Sequence, residues 1–235
     1  MPRRVARRIL LPSHYAMFGV ALLLTACATP GQDEYSADAI EARVVDEQTG
    51  QPLEGVVVVA NWLLMGGTAG GRSQLGPLMV LEAISDATGK FFFPAWGPLP
   101  NRTSGYLDNA DPELWLFTSG YYFTRRANDY TTDYRKKPSR RKSEFVGKTI
   151  PLKRFAGNED AYADHVATTG WSLAANLKWY EDCTIARTPA LAAALDRENT
   201  RLERGGFDKG GFSFRRLTPQ FKSRCQISVQ QRGLQ

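Results

Sequence analysis

The stretch Ile40-Glu41-Ala42-Arg43-Val44-Val45-Asp46-Glu47-Gln48-Thr49-Gly50-Gln51-Pro52-Leu53-Glu54-Gly55-Val56-Val57-Val58-Val59-Ala60-Asn61-Trp62 decides the fold. Its first six residues favour a strand, and Asp46 to Pro52 supplies a turn in which Gly50 can take positive φ and Pro52 fixes the exit. Gly55 to Trp62 is a run dominated by β-branched residues. Its continuous apolarity fits a buried strand better than a helix.

The same character extends outward. Met65 to Pro77, rich in glycine, reads as a flexible loop; it lacks phosphate-loop spacing and any Gly-Lys-Ser/Thr. Leu78 to Ile84, the turn Asp86-Ala87-Thr88-Gly89 and Lys90 to Phe93 read as a second strand pair, ended by Pro94 and Pro98. Leu114 to Phe117 and Lys148 to Lys153 complete the strands. Short strands with no helix between them predict an antiparallel sandwich or barrel over residues 39–154.

The residues Val44-Val45-Asp46, Thr49-Gly50, Pro52-Leu53 and Gly55-Val56, then Ser85-Asp86, Gly89, Phe91 and Phe93, then Gly120-Tyr121 carry a likeness. Together they are similar to the carboxypeptidase regulatory-like domain, a prealbumin-type seven-stranded β-sandwich. The resemblance covers about half the chain. It implies a module that accompanies another activity and has no catalytic residues of its own. Ala42 stands where that family commonly has glycine, and the glycine-rich stretch and Asn101 to Asp111 are long insertions for such a domain.

Before this domain, Arg3, Arg4, Arg7 and Arg8 precede the apolar run Tyr15 to Leu24, the pattern of a secretory signal and too short to span a bilayer. Leu24-Thr25-Ala26-Cys27 resembles a lipobox; the alternative is an ordinary cleaved signal with an incidental cysteine. The resemblance implies a signal over residues 1–26, a diacylglycerol on the sulfur of Cys27 and cleavage before it. Residues 27–38 then read as a tether. Ala28 is similar to the sorting pattern of outer-membrane lipoproteins, so the expected location is the outer membrane, facing the periplasm. Because the signal carries four arginines and no acid, its removal lowers the formal charge from +6 to +2.

Residues 155–235 turn to helical periodicity. Asn158 caps a helix with Glu159 and Asp160 in its first turn, and Tyr162, Val166, Leu173, Leu177 and Tyr180 share a face. Thr188-Pro189 opens a second helix with the stripe Leu191, Leu195 and Leu202, and Gly205-Gly206 stops it. The expected architecture is mainly β, a seven-stranded antiparallel prealbumin-like sandwich followed by a smaller helical C-terminal region.

Candidate chemistry is sparse. After the signal a single histidine remains, His165, so a zinc site with two or three imidazoles cannot be assembled. No Gly-x-Ser-x-Gly elbow occurs. No catalytic residue, metal or cofactor is expected, and His165 reads as structural. Cys183 and Cys225, outside the cytoplasm, form the natural disulfide pair, with two free buried thiols as the alternative. Arg135, Lys136, Lys137, Arg140, Arg141 and Lys142 place six cations in eight residues: an anion patch facing lipid headgroups, or a solvated loop. Asp108, Asn109, Asp111 and Glu113 offer oxygen ligands for calcium outside the strong loop register, or an ordinary polar loop. Trp96, Tyr106, Trp115, Tyr121, Tyr122 and Tyr130 either line a groove or pack the core. The expected function is a lipid-anchored envelope protein acting as a non-enzymatic binding or scaffold module. Its partners are the membrane and an envelope protein or polymer, not nucleic acid. The alternative is a lipoprotein that binds a saccharide or small molecule, and, after it, an envelope hydrolase.

Overall fold

Extended chain begins at Glu34 and persists through the first two thirds of the described residues, which in this computed structural model are 34–68, 70–130, 139–176 and 183–210. In chain order the strands are β1 (Glu34–Ala37), β2 (Ile40–Asp46), β3 (Val57–Thr68), β4 (Gly71–Ile84), β5 (Lys90–Phe93) and β6 (Trp96–Pro100). There follow β7 (Tyr106–Leu107), β8 (Glu113–Phe117), β9 (Thr124–Arg126), β10 (Arg140–Arg141) and β11 (Thr149–Leu152). Then come α1 (Glu159–Asn176), a 3-10 turn over Thr184–Arg187, and α2 (Pro189–Arg204). The chain is thus mainly β with two helices at the C-terminal end, as expected.

Eleven strands stand among the described residues where seven were expected, and they pair as β10-β1-β6, β11-β2-β5 and β4-β3-β8-β9, with β7 on β3. Two pairings depart from the antiparallel expectation. β1 runs parallel to β10, with Ser36 opposite Arg140, and β2 runs parallel to β11, with Arg43 opposite Thr149.

β3 explains why its sequence is apolar without alternation. Val56, Val58, Ala60, Trp62 and Leu64 enter one core with Ile40, Val44, Phe91, Phe93, Ile150 and Leu152. Val57 and Val59 enter a second core with Trp115 and Phe117 of β8 and with Val166, Leu191 and Leu195 of the helices. Both faces are therefore buried, each fully buried valine contributing about 1.5–3 kcal/mol.

Four expectations change. The glycine-rich stretch is no loop: β3 and β4 pair through it, from Val57 opposite Ile84 to Thr68 opposite Gly71, with register shifts after Trp62 and Leu64. Glycine there is accommodated because Leu75 packs over Gly66, filling the space a side chain would take. β4 and β5 do not pair with each other; β5 joins β2, with Phe93 opposite Ile40. The tether expected to reach residue 38 ends by Glu34, where β1 starts.

The last change concerns α2. Asn158 caps α1 as expected, accepting the Ala161 N–H at 2.9 Å, and Tyr162, Val166 and Leu173 are buried while Leu177 and Tyr180 lie outside the described residues. Thr188 makes no side-chain cap for α2. Instead Glu82 of β4 accepts the N–H groups of Ala190 at 2.8 Å and Leu191 at 2.7 Å, so a strand carboxylate caps the helix. Burial raises the Glu82 pKa against those two bonds.

Candidate functional site

The residues that carry the family likeness meet at the end of β2. Asp46, 1 % exposed, accepts the N–H groups of Gln48 and Thr49 and the Thr49 hydroxyl on Oδ1 at 2.9 to 3.0 Å. Its Oδ2 accepts the Tyr121 hydroxyl at 2.8 Å and Arg154 Nε at 2.6 Å. The Tyr121 bond first, then the backbone bond from Thr49, holds its carboxyl well below the usual range. Gly89 closes the neighbouring turn with φ of 78°, where any Cβ would collide with the Val44 carbonyl. Asp46 thus staples its own turn to Tyr121 and Arg154, with both carboxylate oxygens engaged.

A second buried polar centre lies around β10. Arg141, 3 % exposed, donates from Nη2 to the Leu107 carbonyl at 2.8 Å and from Nη1 to the Asp108 carbonyl at 3.1 Å, with its guanidinium 5.4 Å from the Tyr35 ring. Asp111, 6 % exposed, accepts the Leu63 N–H at 3.1 Å and the Asp108 N–H at 2.8 Å. Burial pushes its carboxyl up to about 7, against those bonds and the nearby Arg141 charge. Asn128 adds bonds to the carbonyls of Asp111 and Lys142. Most of these contacts hold the loop from Leu107 to Pro112.

The expected anion patch is therefore not an assembly of six exposed cations. Arg141 points inward because residues 140–143 alternate out and in. Arg140 pairs with Asp38, and Lys142 is exposed. Arg135, Lys136 and Lys137 lie outside the described residues, as do Cys27 and Cys225. Cys183 is 4 % exposed.

The calcium reading gains no support: the Asp111 oxygens face backbone N–H groups, and Glu113 binds Arg125 and the Trp115 indole. Among the described residues no group of three or more His, Cys, Asp or Glu side chains is placed to hold a metal. The aromatic set does not converge on a groove. Trp115 and Tyr121 are buried, Trp96 packs edge-on against Trp62 at 5.3 Å, and Tyr130 is exposed.

His165 is half-buried against Tyr122, Phe155 and Tyr162. Its Nε2 accepts the Phe123 N–H at 3.0 Å, so the ring is fixed with the proton on Nδ1. Burial lowers its pKa. Beside it an open cleft of about 540 Å³ is lined by Ser119, Gly120, Phe155, Asn158, Glu159 and Arg201. Arg201 is committed there to Glu159 at 3.0 Å and Glu198 at 2.8 Å. The cleft offers polar contacts and no nucleophile paired with a base.

Sequence reasoning missed Glu82 and the inward, loop-holding roles of Asp111 and Arg141. A lone acid between Leu81 and Ala83 in a strand was the available signal for the first. No family model matches this chain, and no curated protein matches it. Among solved structures, a 9R-lipoxygenase from Cyanothece PCC8801 is similar over 77% of this chain and 29% of that chain, at 14% identity and a TM-score of 0.26. The chain thus spans less than a third of that protein, and a likeness of this size carries no argument about fold or activity.

Proposed function

We propose that this chain is a lipid-anchored protein of the cell envelope whose β domain is a non-enzymatic binding or scaffold module for an envelope protein or polymer. The observation that carries the reading is the short distance along the chain between Leu24-Thr25-Ala26-Cys27 and the first strand, six residues from Ala28 to Asp33. A domain that starts so soon after a lipobox is built to stay at a membrane. The polar groups that resemble a site support the second half of the reading. Asp46, Asp111, Arg141 and His165 each hold backbone or a neighbouring side chain, and none is presented with a free reactive partner.

The finer architecture we assign is the prealbumin-like sandwich. In support, Asp46, Thr49 and Tyr121 meet at one staple, Ser85 Oγ accepts the Val56 N–H at 2.9 Å, and Phe91 and Phe93 enter the core of β2 and β3. Cys183 is assigned Cys225 as its partner, a closure of about 40 residues that stabilises by on the order of 4 kcal/mol in the chain-entropy model. Peptide mapping without reductant should yield the two in one linked pair, and an alkylated Cys225 under native conditions would refute the pairing.

The anchor is tested by fractionation. Wild-type protein should sediment with membranes, and with the outer membrane on a sucrose gradient, whereas Cys27→Ser should stay uncleaved or become soluble. An unchanged distribution of the mature protein would exclude the lipid anchor.

A further inference from the structure

We propose that the end of the β domain where β1 starts is the surface that lies against the bilayer holding the chain's own anchor, a proposal that rests on the lipidation of Cys27. Three segments gather at that end. Glu34 pairs with Pro100, so β6 ends beside the first residue of β1, and the Ser36 N–H donates to the Ser139 carbonyl at 2.9 Å, so β10 begins two residues further along it. The loop after Pro100 returns to Gly105, which lies against Leu75 of β4 and the Met65 carbonyl of β3. Trp62 packs on Trp96, itself opposite Ala37, so β3 continues past the level of β1 as it runs on to Thr68.

Length decides which surface the anchor can reach. Seven peptide units separate Cys27 from Glu34, and fully extended they span at most about 25 Å. The opposite turn, Glu47 to Pro52, lies twelve residues or more beyond Glu34 along β1 and β2, at most about 40 Å at strand rise. β10 runs parallel to β1, and β11 runs parallel to β2. An inserted lipid therefore keeps the Glu34 end within about 25 Å of the headgroups, a constraint that the tether does not place on the far turn.

The chemistry of that end agrees. Leu75 is 39 % exposed, and Arg72, Arg102, Arg140 and Glu34 are exposed on the segments named here. The ion pairs of Arg72 with Asp108 and of Arg140 with Asp38 leave both arginine side chains about two-thirds exposed, at 67% and 70%. An exposed leucine among arginines suits an interface where apolar stems sink and charged heads meet anionic headgroups.

The test uses the full-length lipidated protein in vesicles that carry a spin label on the lipid headgroup. A fluorophore is attached, without reductant, to Arg102→Cys or Ser104→Cys at the near end and to Gln48→Cys or Glu54→Cys at the far turn. The near-end probes should lose most of their fluorescence while the far-turn probes keep theirs. Two positions at each end, each checked for an unchanged melting curve, keep the comparison available if one variant folds poorly. Equal quenching at both ends, or stronger quenching at the far turn, overturns the proposal. An intact mass without lipid overturns the anchor itself and this proposal with it, whereas lipid with no near-to-far difference overturns the orientation alone.

Discussion

At Arg141 a guanidinium within a run of cations is buried because three backbone and side-chain acceptors from residues 107–109 meet it. Composition reads the run as solvated; only the alternation of a strand assigns Arg141 and Ser143 to the inside, and that alternation is invisible until β10 is known to pair with β1. Removing a buried charged donor leaves its acceptors unsatisfied. Arg141→Ser should cost about 3 kcal/mol in urea unfolding, and Lys142→Ser, exposed, less than about 0.5 kcal/mol. Equal effects would show that Arg141 is not a structural arginine. His165 was legible as structural, since one imidazole beside carboxylates on a helix lacks partners for chemistry. Its folded pKa lies below 6.5, so as pH falls through 6.5 the unfolded chain takes a proton that the folded chain refuses, and stability falls. Nitrogen NMR should show Nε2 unprotonated at neutral pH and a midpoint below 6.5 that also moves the Phe123 amide. A midpoint above the model-compound value would contradict the bond.

Among elements, the strands whose signal is local were readable: β2, the first half of β3, β8, β11 and both helices fall where turn residues and apolar periodicity put them, whereas β3 runs on to Thr68 through the stretch read as a loop. What was not readable is partnership. β4 follows β3 as a hairpin while β5 crosses to β2, and the parallel neighbours β10 and β11 come from about a hundred residues away, a choice made by core packing that no window of sequence contains. The cap of α2 belongs to the same class. Thr188-Pro189 has the local signature of a helix start, yet the bonds to the first N–H groups come from Glu82 on β4. Glu82→Ala should therefore destabilise by about 1–2 kcal/mol, the range for a lost cap, and Glu82→Gln by less because it keeps an acceptor. Thr188→Ala should cost less than Glu82→Ala. The reverse order in thermal unfolding would return the cap to Thr188.

Among the described residues, β3 is the shared wall: one face closes on the core of β2, β5 and β11, the other on the helices, so α1 and α2 pack into the domain. The motif residues that suggested a known module turn out to work in turns and core, which accounts for a sequence rich in fold signal and poor in reaction signal. What remains to assign the molecule its place is chemical and lies in its first residues. The most direct measurement is the mass of the N-terminal peptide of protein purified from native membranes. A peptide that starts at Cys27 and carries diacylglycerol on the sulfur is predicted; an unmodified Cys27, or a mature chain that starts at any other residue, would contradict the account.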